Sequence, residues 1–228
     1  MPGRHGVAAT CRHTLCSERI KDDFQATSSF GTTACEMMDS MKISDVADDI
    51  ERELVSRSQI DETINRVAAQ VSKDYAGRDL LLVGVLKGAA TTMVHFAEAL
   101  SINVQMDYMS LSSYGSGTTS SGTVTVRQDL STDVRGRDVL IVEDIIDSGI
   151  TLAWLVDELK RRGAASVAVF ALLDKPARHK IDIVPTYKGI VIPDEFVVGF
   201  GLDYAEKYRN LDSIAVLKPS VYSKETHA

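Results

Sequence analysis

The chain has 228 residues, 44% of them hydrophobic and 25% charged. At about 150 residues per domain this suits one domain, with or without an appendage, and it excludes wholesale disorder. A net charge of −7 argues against a general nucleic-acid binder, which carries a basic face, but leaves room for a local basic pocket. No run of about 18 apolar residues occurs, so no membrane span is expected. Cys11, Cys16 and Cys35 all fall in the first 35 residues. The rest cannot be stapled by a disulfide and must rely on its own hydrophobic core, as suits a cytoplasmic protein.

Residues 1–40 show no sustained helical or strand period. They lack the apolar stretch of a signal peptide. Their four basic and five acidic residues do not suit a transit peptide. Cys11, His13 and Cys16 match no common zinc spacing, and no second Cys/His pair follows. The segment is expected to be a disordered extension ahead of a domain spanning 41–228. Met37, Met38 and Met41 are candidate alternative starts; N-terminal sequencing that finds Met1 or Pro2 would remove that expectation.

Regular signals begin at Lys42. The acidic run at Asp48–Asp49 and Glu51–Glu53 reads as a solvated face. Ser58 with Asp61 reads as a capping box, and Ile60, Ile64, Val67, Val71 and Tyr75 follow at helical spacing up to Gly77. Leu80–Leu86 is a continuous apolar run, as expected of a strand buried on both faces. Lys87-Gly88 breaks it, and a helix to about Leu100 follows. Val104–Leu111 is a second strand. Ser112–Gly122, almost entirely Ser, Gly and Thr, reads as a mobile functional loop, and Thr123–Arg127 as an exposed strand. Asp138–Ile146 is another buried strand. A helix then runs from Gly149 to Arg162, with cations in its last turn and Gly163 as terminator. Ser166–Leu173 closes the pattern. The alternation predicts an α/β fold: a mostly parallel twisted sheet flanked by helices.

The strongest chemistry lies in Val139–Leu152. An apolar strand ends in Glu143-Asp144, and Asp147-Ser148-Gly149-Ile150-Thr151 leads straight into a helix. Ligands of open α/β sheets bind at the strands' carboxyl ends, and amides at a helix start hold anions. A phosphate is therefore expected on Ser148, Gly149, Ile150 and Thr151. The two acids cannot bind it directly; they suit ribose hydroxyls or Mg2+. The plainer reading is an acidic turn with Asp147 or Ser148 capping the helix. An adjacent acid pair at the end of an apolar strand is nonetheless costly unless something pairs it.

This run resembles the 5-phosphoribosyl-1-diphosphate (PRPP) motif of the type I phosphoribosyltransferases. Leu86-Lys87-Gly88, Ser113-Tyr114, Lys175, Pro193–Gly199, Leu202-Asp203-Tyr204 and Arg209 resemble the 6-oxopurine branch of that family. The likeness covers about Ile43 to Val221, with no counterpart for residues 1–40. It implies a small hood over the strand carboxyl ends, from about 175–210 plus an N-terminal part. It also implies transfer of phosphoribose from PRPP to hypoxanthine or guanine, giving IMP or GMP.

By the same resemblance, Glu143 and Asp144 hold the ribose and a Mg2+ shell, and Asp147 is the general base, expected to act best with a pKa raised by the lid and by its two acidic neighbours. Lys87, Gly88, Ser113, Tyr114 and Arg209 face pyrophosphate, with Tyr114 on a closing lid and the Lys87 peptide contributing its amide. Lys175 donates to the purine O6, Phe196 stacks on the base, and Val197 meets its 2-substituent. Asp203 sits by the purine and holds a second Mg2+. Read alone, Lys175 is balanced between ligand contact and snorkelling, Phe196 is core, and Lys87 an exposed loop lysine. His95 and His179 are structural. A dimer or tetramer is implied, with no nucleic-acid or membrane partner. Competing readings are a xanthine-preferring transferase, an RNA-binding regulator, which would need a basic surface, and a PRPP binder without catalysis.

Overall fold

Three apolar strands whose successive residues face opposite layers set the architecture. The computed structural model describes residues 40–113 and 124–223. Residues 1–39, Tyr114 and the rest of 114–123 lie outside them. So do the expectations of a disordered extension and of a lid at Tyr114. Chain order gives β1 (Ile50–Val55), α1 (Arg57–Asp74), β2 (Leu80–Leu86), α2 (Ala89–Ala99), β3 (Gln105–Ser113), β4 (Val124–Gln128) and β5 (Asp138–Ile146). Then come α3 (Ile150–Arg161), β6 (Ser166–Asp174), β7 (Tyr187–Val191), β8 (Val197–Val198), β9 (Ile214–Leu217) and α4 (Pro219–Tyr222).

The main sheet has the order β4-β3-β2-β5-β6-β7 and is parallel except for the antiparallel β3–β4 pair. The alternation of side chains explains why β2, β5 and β6 are apolar throughout. Leu80, Leu82, Leu140, Val142, Phe170 and Leu172 join one core with Ile60, Ile64 and Val67 of α1 and Met93 and Phe96 of α2. Their neighbours Leu81, Val83, Val139, Ile141, Val169 and Ala171 face the other layer, with Leu152, Leu155 and Leu159 of α3. Trp154 packs against this second core. Each fully buried Leu or Phe contributes about 1.5–3 kcal/mol. The expected α/β class is thus observed.

One local expectation needs correction, and another is met inside a strand not foreseen from the sequence. The cap of α1 is Ser56, not Ser58: the Gln59 amide donates to Ser56 Oγ, and the Ser56 amide to Gln59 Oε1 at 2.9 Å. Ser58 already lies within the first turn. The acidic run from Asp48 is largely strand β1, in which Glu51, Arg52 and Glu53 are exposed while Ile50 and Val55 are buried. β1 pairs antiparallel with β9, and β9 with β8, making a second sheet of three strands over its own core of Ile50, Val198, Leu211, Ala215 and Leu217.

The register of β2, β5 and β6 brings their carboxyl ends to one side. Lys87-Gly88, Asp147–Thr151 and Lys175 follow those three ends directly.

Candidate active site

β5 delivers its acids into a poorly solvated place. Glu143 is buried; desolvation, reinforced by the Asp144 charge, pushes its carboxyl well above the ordinary range. Asp144 is raised to about 6, first by burial. The Ile145 amide, donating to Asp144 Oδ1 at 2.8 Å, and the Arg209 charge pull it back, while Asp203 adds to the rise. Arg209 and Asp203 thus act on Asp144 although they lie about 60 residues along the chain. Gly88 belongs to the same place: a Cβ there would overlap the Asp144 carboxylate. The Leu86–Lys87 peptide preceding it is cis.

The loop after β5 turns at Gly149, whose φ of +77° is readily adopted only by glycine. Gly149 itself occupies the cap position of α3, without a side-chain cap. The expected capping by Asp147 or Ser148 is therefore corrected; Ser148 Oγ only accepts a long bond of 3.4 Å from the Ile150 amide. Ile181 and Ile183 pack so closely that a Cβ on Gly149 would lie 2.7 Å from Ile183. The cleft here, about 140 Å³, is lined by Glu143, Asp147, Ser148, Gly149 and Thr151 among others.

Asp147 and Ile145 also line a second cleft of about 380 Å³, with Lys175, Arg178, Asp194, Phe196, Val197 and Tyr222. Lys175 is buried, and its Nζ donates to the Glu195 carbonyl at 2.7 Å. Desolvation lowers its pKa, and the Asp147 and Asp194 charges oppose that. A buried ammonium in a cleft is not a snorkelling lysine. Phe196 is not core: it is 40% exposed, stacked on Tyr222 at 5.0 Å and met edge-on by Tyr204. Val197, by contrast, is buried in β8 and paired with Val216.

Two residues of this cleft escape the sequence reading. Arg178 Nε donates to Asp147 Oδ1 at 2.9 Å and lies 3.7 Å from Asp194. Asp147 thus has a guanidinium as its direct partner. The available signal for Arg178 is Pro176, which starts a 3-10 turn just after Lys175 and swings the chain back. Tyr222, on α4, has no local signal.

On the far side, Arg209 Nη1 donates to the Gly201 carbonyl at 2.7 Å, and Nη2 faces Asp203 at 2.9 Å. Asp203 also accepts from the Glu206 amide. The Lys87 side chain is exposed and reaches Glu206 at 3.0 Å. Ser113 ends β3. His179 bonds Asp174 at 2.7 Å, and His95 stacks on Phe200. Among the described residues no three His, Cys, Asp or Glu side chains form a metal cage. A Mg2+ held by one or two carboxylates, waters and substrate oxygens needs none, and the buried Glu143 beside the partly buried Asp144 supplies the hard oxygen donors it prefers.

A mostly parallel sheet, a glycine-turned loop at a helix start and an acid pair before it are placed at the strands' carboxyl ends, where open α/β sheets take their ligands. Residues 54–205 match the phosphoribosyl transferase domain, and the chain belongs to that family. Within it, the chain is 49% identical over 175 residues to the hypoxanthine-guanine phosphoribosyltransferase of Streptococcus pneumoniae R6, covering 77% of this chain and 97% of that one. The crystal structure of a hypoxanthine phosphoribosyltransferase from Staphylococcus aureus superposes with a TM-score of 0.75 at 43% identity, covering 78% of this chain and 96% of that one. The Bifunctional protein TilS/HprT of Listeria monocytogenes is 50% identical over 176 residues, 77% of this chain, but this chain spans only 27% of its length.

Proposed function

We propose that the chain is a purine-salvage enzyme that transfers the 5-phosphoribosyl group of PRPP to hypoxanthine or guanine, giving IMP or GMP and pyrophosphate. The observation that carries this reading is that two clefts share a border, at Ile145 and Asp147. Asp147 borders both the phosphate loop and the pocket of Lys175 and Phe196. A base in that pocket would lie next to a ribose phosphate on the loop.

Attack by the base nitrogen on C1′ breaks the bond to pyrophosphate, which leaves with the electron pair through an oxocarbenium-like state. Asp147 accepts the proton from N7 of the purine. Lys175 spends one of its three donors on Glu195, and another is free for the purine O6. A 6-amino group offers that ammonium no acceptor, so adenine is rejected. Phe196 offers its exposed face for stacking, and the Val197 backbone meets the 2-substituent. Amides and hydroxyls of Ser148, Gly149, Ile150 and Thr151 hold the 5-phosphate, while Glu143 and Asp144 take the ribose hydroxyls. Arg209, the Lys87-Gly88 turn and the Ser113-Tyr114 lid neutralise and enclose the leaving group. Mg2+ at Glu143 and Asp144, with a second ion at Asp203, would supply further neutralisation of diphosphate charge. In this reading β1, β8 and β9 form the hood, together with 175–210.

No helix among the described residues is long and apolar enough to cross a membrane. With a body free of cysteine, this supports a cytoplasmic home, and we propose a dimer or tetramer as the working form. The test is a substrate panel of PRPP with hypoxanthine, guanine, xanthine, adenine and uracil, with Mg2+ and with chelator. Hypoxanthine and guanine are expected to be converted, and only with Mg2+. Preference for xanthine would redirect the specificity, and conversion of none would overturn the reading.

A further inference from the structure

We infer that Phe200 is a positioning residue. Its ring anchors a strained segment to α1 and α2 and thereby sets Arg209 and the Lys87-Gly88 turn. The inference rests on the reading above, in which those two groups face pyrophosphate.

The strain is visible in the backbone. Gly199, Phe200 and Gly201 have φ of +101°, +49° and +99° in succession, and Ala205, Glu206 and Tyr208 follow at +49°, +64° and +71°. Residues other than glycine adopt this region uncommonly and hold it only where the surroundings over-determine it. At Phe200 the surroundings do so. The ring is buried, His95 of α2 stacks on it at 5.1 Å, and the Arg57 guanidinium of α1 lies 5.6 Å from its centroid. Its amide donates to the Leu211 carbonyl at 2.9 Å.

The next residue shows what is being held. The Gly201 amide donates to the Arg209 carbonyl at 2.9 Å, and its own carbonyl accepts from Arg209 Nη1 at 2.7 Å. A Cβ at Gly201 would overlap the Gly88 carbonyl. Gly201 therefore touches both groups assigned to pyrophosphate, and the ring beside it fixes where it lies. Arg209 has little freedom to compensate, because Nη2 is committed to Asp203 and Glu206. The purine side is held separately: Val197 and Val198 are registered on Val216 and Ala215 of β9. Loosening Phe200 should thus injure one half of the site and spare the other.

The test is Phe200→Leu, checked for folding by circular dichroism and thermal melting. KM for PRPP should rise at least about tenfold, the scale of one charge-assisted hydrogen bond. Binding of inorganic pyrophosphate with Mg2+, measured by calorimetry, should weaken alike, while KM for hypoxanthine stays within about twofold. His95→Ala and Arg57→Ala each remove one contact from the ring at partly exposed helix positions. They should raise the PRPP KM to a smaller degree with the fold intact, and they decide the matter if Phe200→Leu does not fold. An unchanged PRPP KM in folded Phe200→Leu, or an equal loss for PRPP and hypoxanthine, overturns the inference. So does the absence of any effect in both helix variants when Phe200→Leu is unfolded. If Arg209→Ala weakens pyrophosphate and Phe200→Leu does not, only this inference fails. A parent that converts no base fails the functional reading and takes the inference with it.

Discussion

Asp144→Asn should make the metal-free protein more stable at neutral pH while destroying its activity. Holding a carboxyl at about 6 rather than its ordinary 3.8 costs the ionised form about 3 kcal/mol. The folded state binds this proton more tightly than the unfolded chain does. The parent therefore loses stability as pH rises between about 4 and 6, and above that window it carries the full cost. Asparagine never ionises, and its side-chain oxygen can still accept from the Ile145 amide. The attraction to Arg209 is already contained in that net shift; because Asp144 keeps some solvent contact, about 3 kcal/mol is a ceiling and 1–3 the working range. At about 2–4 °C per kcal/mol for a body of this size, a gain of several degrees is expected at pH 8 with chelator. It should shrink through pH 6 and vanish near pH 4. Glu143, freed of its neighbour's charge, adds in the same direction. Melting curves at pH 8, 6 and 4.5 measure this. A variant less stable than the parent at pH 8, or a gain that ignores pH, would refute the argument that burial makes the ionised Asp144 costly.

Other expectations are shorter to state. Asp147→Asn should cut turnover by at least about a hundredfold, as for loss of a general base, with PRPP binding preserved in calorimetry; unchanged turnover removes Asp147 from that role. Lys175→Ala should raise the KM for hypoxanthine far more than that for PRPP, measured by varying each substrate in turn. Gly149→Ala should lose at least about 1–2 kcal/mol of stability, from its left-handed φ and from contact with Ile183, together with affinity for PRPP. A melting temperature and PRPP KM equal to the parent's would contradict the packing seen there. Deleting residues 1–40 should leave specific activity intact, and a large loss would mean that the segment contributes to the site.

What was legible in the sequence was legible because one local rule governed it. β2, β5 and β6 lie between two helix layers, so both of their faces are apolar and the runs are unbroken. The Glu143-Asp144 pair stands out for the same reason, as charge where the strand demands none. β1 is hidden because its register with β9 shifts twice, between Ile50 and Arg52 and between Glu53 and Val55. Those irregularities leave three charged residues in a row on solvent and destroy the period-two pattern. β8 is only two residues long and has no period to read. Phe196 looks like core because it stands among apolar neighbours, yet exposure is decided by which edge of the small sheet it reaches. Arg178 and Tyr222 enter the cleft through turns whose paths depend on distant packing.

Trp154, packed on the second core one turn into the helix that begins at the phosphate loop, is the only tryptophan in the chain. The protein thus carries an intrinsic fluorophore on the element whose first residues are assigned to the 5-phosphate. Emission from the unlabelled protein therefore tests whether filling that loop disturbs the helix behind it, without chromatography, coupling enzymes or turnover, and equally well in variants that have lost catalysis.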